Sequence, residues 1–138
     1  MSGFFVENGG VQSSLQDAGR RGFSDIGLTQ SGAMDELAFG YANFLVGNDF
    51  NTPTIEIALG GASFKAQNEM CIAICGATMY PKLNGHTIGL WQIHQLKKND
   101  ILTFGYASEG QFTYLAVAGG FQTPHLYGSF STSIKEGL

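Results

Sequence analysis

The chain has 138 residues, 43% of them hydrophobic and only 13% charged, with a net charge of -4 and a pI near 5.1. That length suits one domain with a real core, so residues 1–138 are read as a single domain. Seven Lys and Arg scattered among 11 Asp and Glu give no basic patch for phosphate, which argues against nucleic acid as a partner.

The charged fraction is about half the ~25% usual for soluble domains. Part of the surface is therefore expected to be covered, by a further part of the protein, a partner subunit or a second copy. No basic segment followed by a long apolar run opens the chain, and Met70 to Ala77 is too short to span a bilayer. The expected compartment is the cytoplasm, with no membrane partner.

In chain order, the first predicted element is a strand over Phe4 to Glu7. Polar, glycine-punctuated motifs then crowd the stretch from Gln16 to Glu56, which holds eight of the 18 Asp, Glu, Lys and Arg side chains. Gln16, Asp17 and Arg20 are separated by small residues, as in a tight turn that approaches a ligand closely. A loop in which Asp17 and Arg20 simply pair with each other fits the same residues.

The clearest element is a helix over about Ala33 to Val46. Met34, Leu37, Ala38, Tyr41, Ala42 and Leu45 recur at helical spacing, Ser31 is placed to cap the start, and Gly47 and Asn48 stop it. Its other face carries Glu36, Phe39, Gly40 and Asn43. A mid-helix glycine costs roughly 1 kcal/mol relative to alanine, so something is expected to pack closely there.

The remainder reads as strands: Ile55 to Leu59, Ala62 to Ala66, Met70 to Cys75, Met79 to Leu83, His86 to Leu90, Ile101 to Gly105 and Gln111 to Ala118. Asn84-Gly85 is a two-residue hairpin signal. Cys71 and Cys75 share one apolar strand, about 13 Å apart, beyond disulfide reach, and read as reduced core thiols. With 20 glycines for turns and corners, the pattern is a mainly antiparallel barrel or sandwich with one helix.

Other chemistries lack their signals. No phosphate-binding P-loop pattern occurs, His86, His94 and His125 show no paired ligand spacing for a metal, and no nucleophile elbow surrounds Ser129 or Ser131.

Gln16, Asp17, Gly19, Arg20 and Gly22, then Ser31 to Asp35, Ala42, Asn43, Leu45 to Asn48 and Glu56, together resemble the signature of the biotin-dependent carboxyltransferase domain family. Tyr114 to Gly120 and Gly128 to Leu138 resemble its later motifs. That family includes the C-type subunit of bacterial 5-oxoprolinase, the Kip-type antagonist of a sporulation-kinase inhibitor, and the urea amidolyase carboxyltransferase domain, also called allophanate hydrolase subunit 2. Family members have roughly twice as many residues in two similar subdomains. The resemblance implies the N-terminal subdomain, with the C-terminal half missing.

The resemblance further implies a cyclophilin-like barrel without isomerase activity, since fold alone does not confer function. It implies a component of an ATP-dependent 5-oxoprolinase or related carboxyltransferase complex acting with a B-type partner subunit on a small molecule. A non-catalytic, Kip-type binding protein is the alternative. Its matched positions nominate Asp17, Arg20, Asp35 and Glu56 as catalytic candidates, and Gln16, Ser31, Asn43 and Asn48 as substrate-binding ones. Arg20, Gln16 or Asn43 would donate to a carbonyl oxygen gaining negative charge, while Asp17, Asp35 and Glu56 would orient donors or move protons. Asn48 reads equally as a helix stop, and Glu56 as a structural partner of Arg20. The biotin-attachment tripeptide Met-Lys-Met is absent, so no cofactor bound by this chain is expected; ATP or carboxybiotin would come through partner subunits.

Overall fold

A computed structural model describes residues 3–10, 12–16, 35–121 and 132–133. Eleven strands and one helix are assigned among them, in the order β1 (Phe4–Gly9), β2 (Gln12–Gln16), α1 (Glu36–Leu45), β3 (Thr54–Ala58), β4 (Ala62–Ala66), β5 (Met70–Thr78), β6 (Lys82–Leu83), β7 (His86–Thr87), β8 (Gln92–Leu96), β9 (Ile101–Thr103), β10 (Glu109–Val117) and β11 (Thr132–Ser133). They form a five-stranded sheet, β1-β4-β9-β6-β7, and a six-stranded sheet, β11-β2-β3-β10-β5-β8. All the pairings are antiparallel. The fold is mainly β with one helix, as the glycine-rich, strand-dense sequence predicts.

Strand periodicity builds the core. Ile55 and Ile57 on β3, Ile72 and Ile74 on β5, and Leu115 and Val117 on β10 all turn toward the five-stranded sheet. They meet Phe4, Phe64 and Leu102 there, with Phe64 packed against Phe4 at 5.7 Å and Phe104 at 6.1 Å between ring centroids. Each such side chain removed from water stabilises the fold by about 2 kcal/mol.

The opposite face of the six-stranded sheet is covered by α1. A second, smaller cluster forms there from Ala38, Phe39, Ala42, Cys75, Tyr114 and Ala116. The helix is turned differently from the predicted stripe. Leu37 is 78% exposed and Tyr41 41%, while Ala38, Phe39, Ala42 and Asn43 are buried. Two small alanines let the helix lie close to the sheet, and Phe39 then fills the space beside them. The close cover expected at Gly40 is Phe50: a β-carbon added at Gly40 would lie 2.5 Å from its ring, which also packs edge-on against Phe39.

The helix begins later than expected. Asp35 has extended backbone (φ -116°, ψ 93°) and its carboxylate accepts from the Ala38 N–H at 3.1 Å, so Asp35 is the cap, the role expected of Ser31. Ser31, Ala33 and Met34 lie outside the described residues. Val46 is the C-cap rather than a helical residue.

Asn84 and Gly85, at φ 51° and 84°, form the expected hairpin turn between β6 and β7. Those two strands are shorter than predicted. Tyr80 at φ 50°, ahead of Pro81, keeps the backbone out of the ladder until Lys82. Three strands fall outside the sequence prediction: β2, whose Gln-Ser-Ser-Leu-Gln offers one large hydrophobe, β8, whose Gln-Ile-His-Gln-Leu lies at the end of the six-stranded sheet, and the two-residue β11 that pairs with β2. Cys71 and Cys75 are both free thiols on β5. No helix among the described residues is long and apolar enough to cross a membrane.

Candidate functional site

Registers across the six-stranded sheet align one row of side chains beneath α1. Ser14 on β2 pairs with Glu56 on β3, Glu56 pairs with Tyr114 on β10, and Tyr114 pairs with Cys75 on β5. Directly paired residues point to the same face, so the row is a strip of Ser, Glu, Tyr and Cys across four strands. Ser14 and Glu56 keep only 8% and 7% of their surface exposed, and Tyr114 and Cys75 none.

The strip is joined to the helix start by two short hydrogen bonds. The Tyr114 hydroxyl donates to Glu56 Oε2 at 2.6 Å and accepts the Asp35 backbone N–H at 2.7 Å. Residues 35, 56 and 114 are thus linked through one phenolic oxygen, with both its donor and an acceptor position used. Phe39 packs edge-on against the Tyr114 ring at 6.1 Å and keeps water from it.

Burial, and then the Glu56 carboxylate that accepts its proton, push the Tyr114 hydroxyl well above the usual tyrosine range; the Asp35 N–H acts weakly in the other direction. Tyr114 therefore stays protonated and acts as a fixed bridge. Burial also pushes the Cys75 thiol up to about 12, which leaves it a neutral packing group rather than a nucleophile. Asp35 is the accessible member: it is exposed, with one carboxylate oxygen occupied by the helix cap.

The nominated residues divide as follows. Asp35 and Glu56 are brought together through Tyr114. Gln16 ends β2 opposite Thr54, in the same strand as Ser14. Asp17, Arg20 and Ser31 lie outside the described residues. Asn43 is fully buried and donates its amide hydrogens to the carbonyls of Phe50, at 3.1 Å, and Thr52, at 2.8 Å. Asn48 donates to Val117 O at 2.7 Å and to Asn43 Oδ1 at 3.3 Å, and accepts from the Gly119 N–H at 2.9 Å. These two amides tie α1 to the 46–53 loop and to the end of β10. Asn48 is more than a stop: it stitches two elements 69 residues apart in sequence.

Tyr114 is the member that sequence reasoning does not nominate, although it opens the Tyr-Leu-Ala-Val-Ala-Gly-Gly motif. The available signal is Glu56 itself: a carboxylate inside an apolar strand requires a donor, and a tyrosine in another apolar strand is a donor with an apolar body.

No group of three His, Cys, Asp or Glu side chains among the described residues could hold a metal ion. His94 Nε2 lies 2.7 Å from the Gly89 carbonyl. A groove of about 440 Å³, lined by Phe5, Glu7, Lys65, Gln67, Lys98 and Asn99 among others, lies along β1 and β4 in the other sheet and shares no residue with the strip.

Comparison with known proteins gives this geometry a context. The chain is 37% identical over 130 residues to the C-type subunit of 5-oxoprolinase from Escherichia coli strain K12, covering 94% of this chain and 42% of that protein. It is 40% identical over 124 residues to urea amidolyase of Saccharomyces cerevisiae, covering 89% of this chain and 7% of that protein. The crystal structure of Kluyveromyces lactis urea carboxylase is similar over 94% of this chain and 12% of its own, with a TM-score of 0.89 and 37% identity. The chain thus spans less than half the length of each of these relatives. Residues 26–138 match the family described as carboxyltransferase domain, subdomain A and B. By that match, which takes in most of its length, the chain belongs to the carboxyltransferase-domain family.

Proposed function

We propose that the chain is a component of a carboxyltransferase or amide-hydrolysing complex of the 5-oxoprolinase type, acting with a B-type partner subunit on a small molecule. The observation that carries this reading is the Tyr114 hydroxyl bridging Asp35 and Glu56, because it unites two residues from separate family motifs. In this reading Asp35, exposed at the helix start, meets the substrate or the partner's reacting group and orients a donor or moves a proton. Glu56 and Tyr114 are positioning residues that hold the Asp35 backbone.

Lactam opening and carboxyl transfer both build negative charge on a carbonyl oxygen, which fixed donors stabilise. Gln16 and Arg20 would supply such donors. ATP or carboxybiotin would arrive through partner subunits. The compartment proposed is the cytoplasm.

The test mixes the purified chain with the partner subunits of a bacterial 5-oxoprolinase, ATP and 5-oxoproline, and follows glutamate. Glutamate formed only when the chain is present, and reduced at least about tenfold by Asp35→Asn, is the expected result. A folded chain that adds no turnover in any combination removes the reading. If that inert chain still forms a stoichiometric complex with a kinase inhibitor, the Kip-type alternative takes its place.

A further inference from the structure

Beside the strip, the surface carries an apolar patch that the site does not use. Leu37, Tyr41 and Phe44 fall at i, i+4 and i+7 on the outward side of α1, and they are 78%, 41% and 71% exposed. Tyr41 stacks against Phe44 at 5.8 Å and against Trp91 at 5.6 Å, which carries the patch from the helix onto the sheet. Trp91 leads directly into β8, where Ile93 pairs with Ala73 and so shares the face on which α1 lies. Trp91 and Ile93 are 44% and 48% exposed.

Two further features leave this edge open to pairing. Among the described residues β8 has no neighbour on its outer side, and Gln-Ile-His-Gln-Leu contains no charge, proline or bulge of the kind that protects free edges. Trp91 also holds a left-handed backbone at φ 61°, rare for a bulky side chain, with its N–H given to the Ile74 carbonyl at 2.6 Å. Its indole is thereby presented at the surface beside Tyr41.

We infer that the outward face of α1 and the β8 edge form an isologous interface with a second copy of this chain, β8 pairing antiparallel to its symmetry mate. The size fits. With the ~200 Å² that a large aromatic side chain carries, the five side chains expose roughly 500 Å². That is the apolar part of a standard interface of about 800 Å² per partner. The charge fits as well. A chain of net charge -4 repels its own copy, yet none of these five residues is charged, so the patch itself sets no like charges against each other. Antiparallel pairing also places the Lys97 and Lys98 end of each β8 beside the Trp91 end of the other, where an ammonium near an indole is attractive.

The test uses the only tryptophan in the chain, Trp91, as a reporter built into the patch. Mass is measured by light scattering, and Trp91 emission is followed as the chain is diluted. The expected result is a dimer whose Trp91 emission is blue-shifted and protected from iodide at high concentration, with both changes lost on dilution. Phe44→Glu, with far-UV circular dichroism unchanged, weakens the dimer at least about 30-fold. Ile93→Lys does the same from the sheet edge. A monomer at all concentrations, or a dimer whose Trp91 stays exposed, overturns the inference. So does a monomer in which Trp91 becomes covered only on adding a 5-oxoprolinase partner subunit, since the surface then belongs to that partner.

Discussion

The interior between the two sheets and the layer beneath α1 are both closed to water, but they are built from different chemistry. The first is assembled almost wholly from Phe, Leu, Ile, Met, Val and Ala, with the hydroxyls of Ser13 and Thr113 on the same faces of their strands. The second adds Cys75 and Tyr114 to its alanines and Phe39, and Glu56 adjoins it on the same face of the sheet. An interior without titratable groups contributes stability that is indifferent to pH. The thinner layer can hold a carboxylate and a phenol in fixed geometry because each satisfies the other. Where side chains alternate along a single strand, the fold keeps both environments within one residue of each other: Leu115 faces the interior, Tyr114 the layer.

The largest separation of the two regions comes from truncation in the interior. Phe64→Ala removes a ring that touches Phe4 and Phe104, and it is expected to cost about 3–5 kcal/mol, a large share of a typical domain's stability. Urea unfolding at neutral pH measures it; a loss below about 1 kcal/mol would mean that the interior is loosely packed.

In the helix layer, Tyr114→Phe keeps the ring but deletes the bridge, leaving the Glu56 carboxylate and the Asp35 N–H without it. The expected loss is about 2 kcal/mol, because hydrogen bonds to charged groups are the stronger ones. Faster amide exchange at Asp35 should accompany it. An unchanged exchange rate would show that the bridge does not hold the helix start.

The pH dependence sharpens the contrast further. Burial raises Cys75 from 9.0 to about 12, and Tyr114 is raised as well. Above the unfolded values the unfolded chain releases protons that the native state keeps. Stability from the thiol is therefore complete below about pH 9 and declines toward 12, by about 1.4 kcal/mol per pH unit. Tyr114 adds its own decline from about pH 10. Cys75→Ala should flatten the curve between about pH 9 and 10 while lowering its neutral plateau slightly. A wild-type curve that is flat over that range would show the thiol is not held neutral by burial.

The smallest effect has the opposite sign. Thr54 Oγ1 is buried with no hydrogen-bond partner among the described residues, two residues from Glu56 on the same face of β3. Thr54→Val exchanges that hydroxyl for a methyl group and should stabilise the chain by about 1 kcal/mol in the same urea assay. A destabilised variant would reveal a partner for that hydroxyl.

Much of the interior can be read from spacing alone: the paired isoleucines of β3 and β5, the Leu115 and Val117 alternation, and the Asn84-Gly85 turn are local signals. The helix layer is harder. Its apolar stripe contains the buried Ala38 and Ala42 but groups the exposed Leu37 and Tyr41 with them and leaves the buried Phe39 and Asn43 on the other face, because spacing does not show that the sheet packs against the small residues. The strand β2 escapes a pattern reading because a polar sequence becomes a strand when both neighbours supply ladder bonds. At the site, Asp35 and Glu56 come from matched motifs, whereas the Tyr114 link joins residues 79 and 58 apart in sequence, a register property that no local pattern carries.

The position of β10 in the six-stranded sheet also governs how the chain is made. It lies between β3 and β5, which precede it in synthesis and do not pair with each other. Until residue 117 has left the ribosome, both older strands present open ladders, and the underside of α1 has no Tyr114 or Ala116 to rest on. At roughly 5–20 residues per second the nascent chain spends several seconds in that state. Closure of both buried regions is then a single late event, triggered by the arrival of one strand.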